Sequence, residues 1–343
     1  MNVKALLTWV GVPLLLLFLL MGPRITRSIP PFELGVHNTV VQADSKSNTD
    51  GPRVGNCPVF PKDNVWNTPV DNLPADGKTK DYVESIGAVA KVHPDFGSSL
   101  AYGMPFTEVP AGTKPSRVTF EYRDDSDLAN YPIPENAPIE GGPQSTGDRH
   151  IIFIDPRRCL LEELFDATEI SPGNWKAGSG IKMDLTSNAL RGADKTSADA
   201  AGLPIFPGLV RYEEVQAGEI NHALRFTVPH TRASYIWPAR HKASRDPSPK
   251  LPPMGTRFRL RADFDISKYS RTNQVILKAL KKYGMMLADN GGAMFVSGVP
   301  DKRWDDEDLH KLGGATAADF EVVDVSEWQM LGDSARVDPL AAK

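Results

Sequence analysis

Residues 196–228 (TSADAAGLPIFPGLVRYEEVQAGEINHALRFTV) combine acidic, basic, glycine and proline residues between apolar runs. A segment that only fills a core alternates cleanly or repeats at helical spacing, whereas Gly202, Pro207 and Gly218 interrupt this one. Its carboxylates Asp199 and Glu219 lie close to these interruptions, where the chain turns. The pattern predicts a segment that forms one wall of a site.

Residues 220–228 are expected to form a strand, and the alternation of a strand decides which side chains share a face. His222 lies in an apolar row with Leu224 and Phe226, and Arg225 lies on the opposite face. A histidine in an apolar row is equally well explained as a buried structural residue. Glu219 precedes the strand, where the flexibility of Gly218 brings its carboxylate to the mouth of the strand.

Two further motifs carry ionisable side chains at the ends of apolar strands. GDRH, with Asp148 and His150, directly precedes the run IIFID, and Glu140 lies on a glycine-rich turn before it. Partial burial at such a strand entrance shifts pKa values. By contrast, the acidic turns at residues 93–97 (HPDFG) and 288–292 (ADNGG) are predicted to be plain turns, in which the Asp accepts backbone N–H groups.

The motif WPARH ends another apolar run and supplies Trp237, Arg240 and His241. An exposed indole offers a flat apolar surface to a sugar ring, while neighbouring donors bind the polar edges of the ring. The alternative is a tryptophan that covers the edge of the core.

The leading functional hypothesis is an exported carbohydrate-active enzyme, a glycoside hydrolase or a polysaccharide lyase. Carboxylates and histidines are the groups that protonate and deprotonate the reacting atoms when a glycosidic bond is cleaved. The predicted catalytic residues are Asp148, Asp199, Glu219 and His222. The predicted substrate-binding residues are His150, Arg225, Trp237, Arg240 and His241.

Two alternatives remain beside this hypothesis. One is a non-catalytic envelope module that binds a glycan or a protein. The other is a metal-dependent enzyme in which His150, His222 and His241, with one carboxylate, bind zinc or copper. Because their spacing is too irregular for a metal motif, metal binding ranks below the carbohydrate hypothesis, and no other cofactor is predicted. The sequence has no GxSxG turn, no GxxxxGK[ST] loop and no GxGxxG after a strand.

The charge distribution limits the partners. The 343 residues carry 39 basic and 43 acidic side chains, mixed along the chain, for a net charge of -4. Because no basic block is present, nucleic acid is not an expected partner. The expected partner is a polysaccharide or another glycan, and contact with a membrane is expected through the N-terminal segment only.

The high content of glycine (28) and proline (29) favours many short strands joined by shaped loops. Two helices are predicted, at residues 78–90 and 273–283. Predicted strands are residues 117–122, 149–154, 160–167, 220–228, 234–237, 257–264, 293–297 and 320–325. The expected fold is mainly β (α+β), a single strand-rich sandwich or jelly-roll-like domain with a few packed helices, and a doubly wound parallel sheet is disfavoured.

The two ends of the chain differ from its middle. Residues 5–21 are apolar or small and are flanked by basic residues, so residues 1–28 are predicted to be a signal peptide or signal-anchor. A flexible tether at 29–56, a globular domain at 57–330 and a C-terminal tail at 331–343 follow. Cys57 and Cys159 are predicted to form a disulfide in an oxidising, extracytoplasmic compartment, with free buried thiols as the alternative.

Several phrases occur together: DNVWNTPVD, HPDFG, GDRH, TSADAAGLPIFPGLVRYEEV, INHALRF, PARH, PPMG and ALKKYGMMLADNGG. In this order they resemble the phrases of a group of exported bacterial proteins of unknown activity. The resemblance covers about residues 57–325. It implies one intact domain and export, and it transfers no catalytic residue to this chain.

Overall fold

The computed structural model describes residues 51–338 and residue 340. In this part of the chain, short strands outnumber helices. The strands are β1 Arg53–Val54, β2 Cys57–Pro58, β3 His93–Asp95, β4 Phe106–Glu108, β5 Ser116–Phe120, β6 Asn130–Tyr131, β7 Ile151–Asp155, β8 Leu160–Phe165, β9 Thr168–Ser171, β10 Asn174–Ala177, β11 Ser179–Asp184, β12 Leu224–Val228, β13 Arg257–Leu260, β14 Met285–Asn290, β15 Phe295–Ser297 and β16 Phe320–Val323. The α-helices are α1 Thr79–Ile86, α2 Tyr212–Ala217, α3 Arg271–Lys282 and α4 Asp306–Leu309.

The largest sheet has six strands in the order β16-β13-β14-β12-β15-β3. β12 pairs in parallel with β14 and antiparallel with β15, which in turn pairs in parallel with β3. The sheet is therefore mixed, as expected from a chain without regular strand–helix alternation. Its central strands come from three segments that are distant along the chain.

Helix α3 packs against this sheet. Its N-terminus is capped by Ser270, whose hydroxyl accepts a hydrogen bond from the backbone N–H of Asn273, and Lys281 and Lys282 occupy the favourable last turn. Gly284 ends the helix with φ +67°, and a Cβ there would lie 2.2 Å from the carbonyl oxygen of Phe258. Only glycine can therefore occupy position 284, because any side chain there would collide with the backbone of Phe258. The helix predicted at residues 273–283 is confirmed.

Two four-stranded sheets, ordered β11-β8-β7-β4 and β6-β5-β10-β9, form the rest of the sandwich. In β7, Ile151 and Phe153 belong to the core shared with the second of these sheets, whereas Ile152 and Ile154 belong to the main core with the six-stranded sheet. Burial on both faces explains the continuous apolar run IIFI. The predicted mainly-β α+β sandwich is confirmed, with 27% strand and 16% helix.

Some predicted elements differ from the structure. The strand predicted at residues 234–237 is wrong, because only Tyr235 forms a bridge, with Met254, and Pro238 has no N–H for a ladder. The strand predicted to begin at residue 220 begins at Leu224, because residues 218–223 form the turn after α2. The central strand β14 and helix α2 were not among the predicted elements.

A disulfide joins Cys57 to Cys159 across 102 residues, as predicted. It ties the beginning of the described chain to the turn between β7 and β8, and it indicates an oxidising, extracytoplasmic environment. None of the helices within residues 51–338 and 340 has the length and apolar character needed to cross a bilayer. The apolar segment predicted at residues 5–21 lies outside the described residues.

Candidate functional site

Polar side chains collect on one face of the six-stranded sheet, where β14, β12, β15 and β3 lie side by side. Arg225 and Thr227 are on the same face of β12 because they are two residues apart. Thr227 pairs with Asp289 of β14 and with Phe295 of β15. One step further along β15, Ser297 pairs with Asp95 of β3. The pairing therefore brings side chains from four strands to one patch, which we call the Arg225 site.

Arg225 is the centre of this site and is 3% exposed. Its Nε and Nη2 donate to the two carboxylate oxygens of Asp199 at 2.6 and 2.8 Å, and its Nη1 donates to Ser297 Oγ at 2.6 Å. Burial lowers the pKa of Arg225, but the carboxylate of Asp199 more than offsets this and raises it. The two-point geometry keeps the charge in place, as in other bidentate arginine–carboxylate pairs.

The loop that carries Asp199 is held from several sides. The Ser197 hydroxyl and the Thr196 hydroxyl both donate to the carbonyl oxygen of Asp199, at 2.8 and 2.9 Å. Ala201 N–H donates to the carbonyl of Ala288, which anchors the loop over β14. Gly202 has φ +69°, and a Cβ there would lie 2.3 Å from the carbonyl oxygen of Lys195. The glycine in this motif is therefore required by a close backbone approach.

His150 and Glu140 form a second charged pair at the site. His150 Nδ1 lies 2.6 Å from Glu140 Oε2, and its Nε2 lies 2.9 Å from the carbonyl oxygen of Ala198. Burial lowers the pKa of His150, but the bond to Glu140 overcomes this and raises it to about 9. Burial raises the pKa of Glu140, but the His150 ring outweighs this and the net shift is downward. His150 therefore holds Glu140 in its ionised form.

Two other carboxylates have pKa values shifted in the opposite direction. Burial raises the pKa of Asp289 to about 7, with a further rise from Asp199 and an opposing effect from Arg225. Burial also raises the pKa of Asp95, and the charges of His93 and Arg225 oppose this rise. The side chain of Asp289 is 27% exposed and lies 3.7 Å from Arg225 Nη2. The site thus contains two carboxyl groups whose pKa values are raised, Asp289 and Asp95, and one whose pKa is lowered, Glu140, all within the field of Arg225.

An aromatic surface adjoins these carboxylates. The rings of His93 and Phe295 stack with centroids 4.1 Å apart, and both residues are partly exposed. They lie in the same cross-strand row as Thr227 and Asp289. Gly292 lies against the Phe295 ring, since a Cβ at this position would be 2.4 Å from it. A flat ring beside hydrogen-bonding carboxylates is the arrangement that sugar-binding sites use.

Glu163, on β8, lies beneath the site with no exposed surface. Its carboxylate accepts hydrogen bonds from the backbone N–H groups of Ile205 and Phe206 at 2.9 to 3.0 Å. Burial raises the pKa of Glu163 to about 7, although these two hydrogen bonds oppose the rise. The carboxylate fixes the chain that leaves the Asp199 loop.

The structure brings together part of the residue set predicted from the sequence. Asp199, His150 and Arg225 meet at the Arg225 site. His241 Nδ1 lies 3.0 Å from the carbonyl oxygen of Ala200, so the GDRH and PARH motifs both contact the loop that carries Asp199. The loop is therefore a wall between the two motifs, as the sequence pattern indicates.

Other predicted residues have their contacts elsewhere. Asp148 is exposed, and Glu219 is 61% exposed and pairs with Lys282 at 3.6 Å. His222 is fully buried and its Nε2 lies 3.2 Å from Glu214, which agrees with a structural histidine. None of these three side chains has a described contact with Arg225, and their predicted catalytic roles stay predictions.

The expected exposed tryptophan surface is wrong. Trp237 is 8% exposed, and its Nε1 donates to the carbonyl of Ser334 at 2.8 Å. Arg240 is 9% exposed and donates to the carbonyl of Gly332. These two hydrogen bonds hold the segment near residues 332–334. The partly exposed rings at the Arg225 site are those of Phe295 and His93.

Asp95 and Asp289, which are predicted to lie in plain turns, and Glu163 are site residues that sequence patterns do not reveal. Asp289 does accept a hydrogen bond from the N–H of Asn290 at 2.6 Å, but its pairing opposite Thr227 also directs it to the site. The available signal was that Asp95 and Asp289 each lie two residues before a glycine, and that Asp289 directly follows the apolar run MMLA. That position is where strands present polar groups at a sheet edge.

The described residues contain no group of three or more His, Cys, Asp or Glu side chains arranged to hold a metal ion. His150, His222 and His241 are not brought together into such a group. Three surface cavities are lined by residues outside the Arg225 site. The largest of these three, about 730 Å³, lies between the ends of the two four-stranded sheets, and Trp175 is part of its lining. Comparisons with protein-family models, with curated proteins and with solved structures find no match.

Proposed function

We propose that this protein is a glycoside hydrolase, exported and either secreted or tethered by its N-terminal segment, and that the Arg225 site is its active site. One observation supports this most strongly: partly exposed carboxylates from separate segments surround a buried arginine–carboxylate pair on one sheet face. Hydrolysis of a glycosidic bond needs one carboxyl group that donates a proton and one that is ionised. The disulfide and the apolar segment at residues 5–21 support the proposed export.

The roles follow from the opposed environments of the carboxylates. Asp289 is assigned as the general acid because it keeps its proton up to about pH 7. Glu140 is assigned as the base or nucleophile because His150 favours its ionised form. Environments that push two carboxyl pKa values apart are the usual means of separating these roles. Asp95, on the opposite side of Arg225 in the sheet order, is assigned to substrate hydroxyl groups.

Arg225 and the aromatic pair position the reaction. The guanidinium lies 3.7 Å from Asp289 and is itself fixed by Asp199. It therefore positions the Asp289 carboxyl group and does not bind the substrate itself. Phe295 and His93 offer a ring face on which a pyranose ring stacks. In the reaction, Asp289 gives its proton to the leaving oxygen, and the elements of water are added across the cleaved bond.

The test compares two site variants with two variants at the exposed positions that sequence patterns favoured. The purified full chain is incubated with a panel of polysaccharides and the release of reducing ends is measured. Asp289→Asn and Glu140→Gln are expected to lower kcat by about 100-fold or more, the range typical of acid–base groups. Asp148→Asn and Glu219→Gln are expected to keep the wild-type rate. The reverse pattern, or an inactive wild type on every polysaccharide, contradicts the proposal.

A second candidate function is a non-catalytic glycan-binding module, and one observation favours it. The cavity of about 730 Å³ has Trp175 and Ile133 in its lining, with Lys114, Glu135 and Asn136 beside them. An aromatic floor with polar groups is typical of a saccharide groove. This function predicts binding without cleavage, abolished by Asn136→Ala and Glu135→Ala and unaffected by Asp289→Asn.

A further inference from the structure

The positive charges at the Arg225 site are all engaged by the protein. Arg225 gives two hydrogen bonds to Asp199 and one to Ser297, and it is 3% exposed. His150, also 3% exposed, uses one ring nitrogen with Glu140 and the other with the carbonyl of Ala198. Because both cations are 3% exposed and already bonded within the protein, a substrate anion that competed with their partners would have to break buried hydrogen bonds, which is costly.

The next cation along the chain is engaged as well. Arg149 Nε donates to the carbonyl of Ala167 at 3.1 Å, and its Nη1 donates to the carbonyls of Pro143 and Ser145 at 3.1 and 2.8 Å. This guanidinium closes the turn that follows Glu140. Its Nε and Nη1 donors are therefore directed into the protein.

The groups that face solvent at the site are carboxyl groups and the His93–Phe295 ring surface, and burial lowers the pKa of His93, which disfavours its charged form. The side chains of Glu140 and Asp289 are 22% and 27% exposed, and Asp95 is partly exposed. Behind them, the carboxylate of Asp199 is paired with Arg225, and Glu140 itself is paired with His150, so neither cation is left to receive a substrate carboxylate. A substrate carboxylate that enters the site therefore meets carboxyl oxygens and finds both of these cations already paired, which disfavours it.

From this arrangement we infer that the Arg225 site accepts uncharged or amine-bearing sugars and excludes uronic acids. The inference rests on the proposed function and narrows its substrate class. It also separates hydrolysis from β-elimination. A lyase removes the proton next to a uronate carboxylate and must stabilise the charge that develops there, usually with a cation, whereas hydrolysis of a neutral glycoside needs only the acid, the base and water.

The experiment uses matched substrates that differ only in charge. Neutral glucans, galactans and mannans are compared with the same polymers oxidised at C6 to uronic acids, and with the oxidised polymers after methyl esterification. The wild-type chain is expected to cleave at least one neutral polymer, with kcat/KM about 100-fold higher than for its oxidised form. Esterification removes the charge, and it is expected to recover most of the kcat/KM that oxidation takes away.

A site variant links the selectivity to the named carboxylates. Asp95→Asn removes one exposed charge at nearly constant shape, and it is expected to reduce the ratio of neutral to oxidised kcat/KM by about tenfold. Glu84→Gln, on helix α1 with a side chain that is 61% exposed, serves as the charge-matched control and is expected to leave the ratio unchanged.

The outcomes separate the two proposals. Cleavage of the oxidised polymers at equal or higher kcat/KM, still abolished by Asp289→Asn, overturns the inference and leaves the proposed hydrolytic site in place. Unsaturated products from the oxidised polymers would also overturn it, because they identify β-elimination. No cleavage of any polymer overturns the proposed function and the inference together.

Discussion

Replacing Glu163 with glutamine tests the electrostatics beneath the site. The Glu163 carboxylate is fully buried and accepts hydrogen bonds from the backbone N–H groups of Ile205 and Phe206. Burial raises its pKa from 4.5 to about 7. Glutamine keeps an oxygen acceptor and nearly the same shape, and it removes the ionisation. The variant therefore isolates the effect of burying this charge.

The sign and size of the effect follow from proton binding. Between pH 4.5 and about 7 the folded protein holds the Glu163 proton and the unfolded chain has released it, so the free energy of unfolding falls as pH rises. The stabilisation is complete below pH 4.5 and is lost above about pH 7. At about 1.4 kcal/mol for each pH unit, the free energy of unfolding falls by roughly 3 kcal/mol across this window.

The assay is urea-induced unfolding, followed by tryptophan fluorescence at several pH values from about 5 to 8. Other groups titrate in both proteins, so the difference between Glu163→Gln and wild type isolates this carboxylate. The variant is expected to gain roughly 2 to 3 kcal/mol relative to wild type across that range. Glu135→Gln, at an exposed position, is expected to run parallel to wild type. A Glu163→Gln difference that stays constant with pH would refute the reasoning.

Three further predictions concern the surrounding structure. Asp199→Ala leaves Arg225 buried without its carboxylate, so the free energy of unfolding is expected to fall by about 3 to 5 kcal/mol in urea titrations, and a loss below about 1 kcal/mol would contradict the pairing. His150 has its pKa raised from 6.5 to about 9, so the stability it contributes is present below pH 6.5 and is lost as pH rises through 9. In His150→Gln the decline of the melting temperature between these pH values is expected to flatten, and an unchanged decline would assign it to other groups. Replacing Cys57 and Cys159 together with serine is expected to cost about 2 to 5 kcal/mol, a change that a reducing agent should reproduce in the wild type but not in the variant.

Local patterns predicted much of the fold. The helix near residues 273–283 was predictable because its apolar side chains repeat at helical spacing and because Gly284 marks its end. Strand β14 (Met285–Asn290) was harder, because a central strand that is buried on both faces shows no alternation. The run MMLA after a helix therefore carried no period that distinguishes a strand.

The site was only partly predictable for a similar reason. The two-residue alternation of β12 correctly separated Arg225 from the apolar row, because that period is local. Asp95 and Asp289 reach Arg225 through the sheet order β14-β12-β15-β3, which joins segments far apart in the chain. No local pattern encodes that order. The sequence therefore predicted one wall of the site and missed the strands that complete it.

The pH dependence of kcat/KM on a neutral polysaccharide tests the central claim most directly. If Asp289 is the general acid, the rate falls as pH rises through about 7, where Asp289 loses its proton. Glu140 stays ionised in this range, so the rate at lower pH is expected to remain high until that carboxylate is protonated. A rate that stays level or rises between about pH 6 and 8 would contradict the assignment of Asp289 and with it the proposed mechanism.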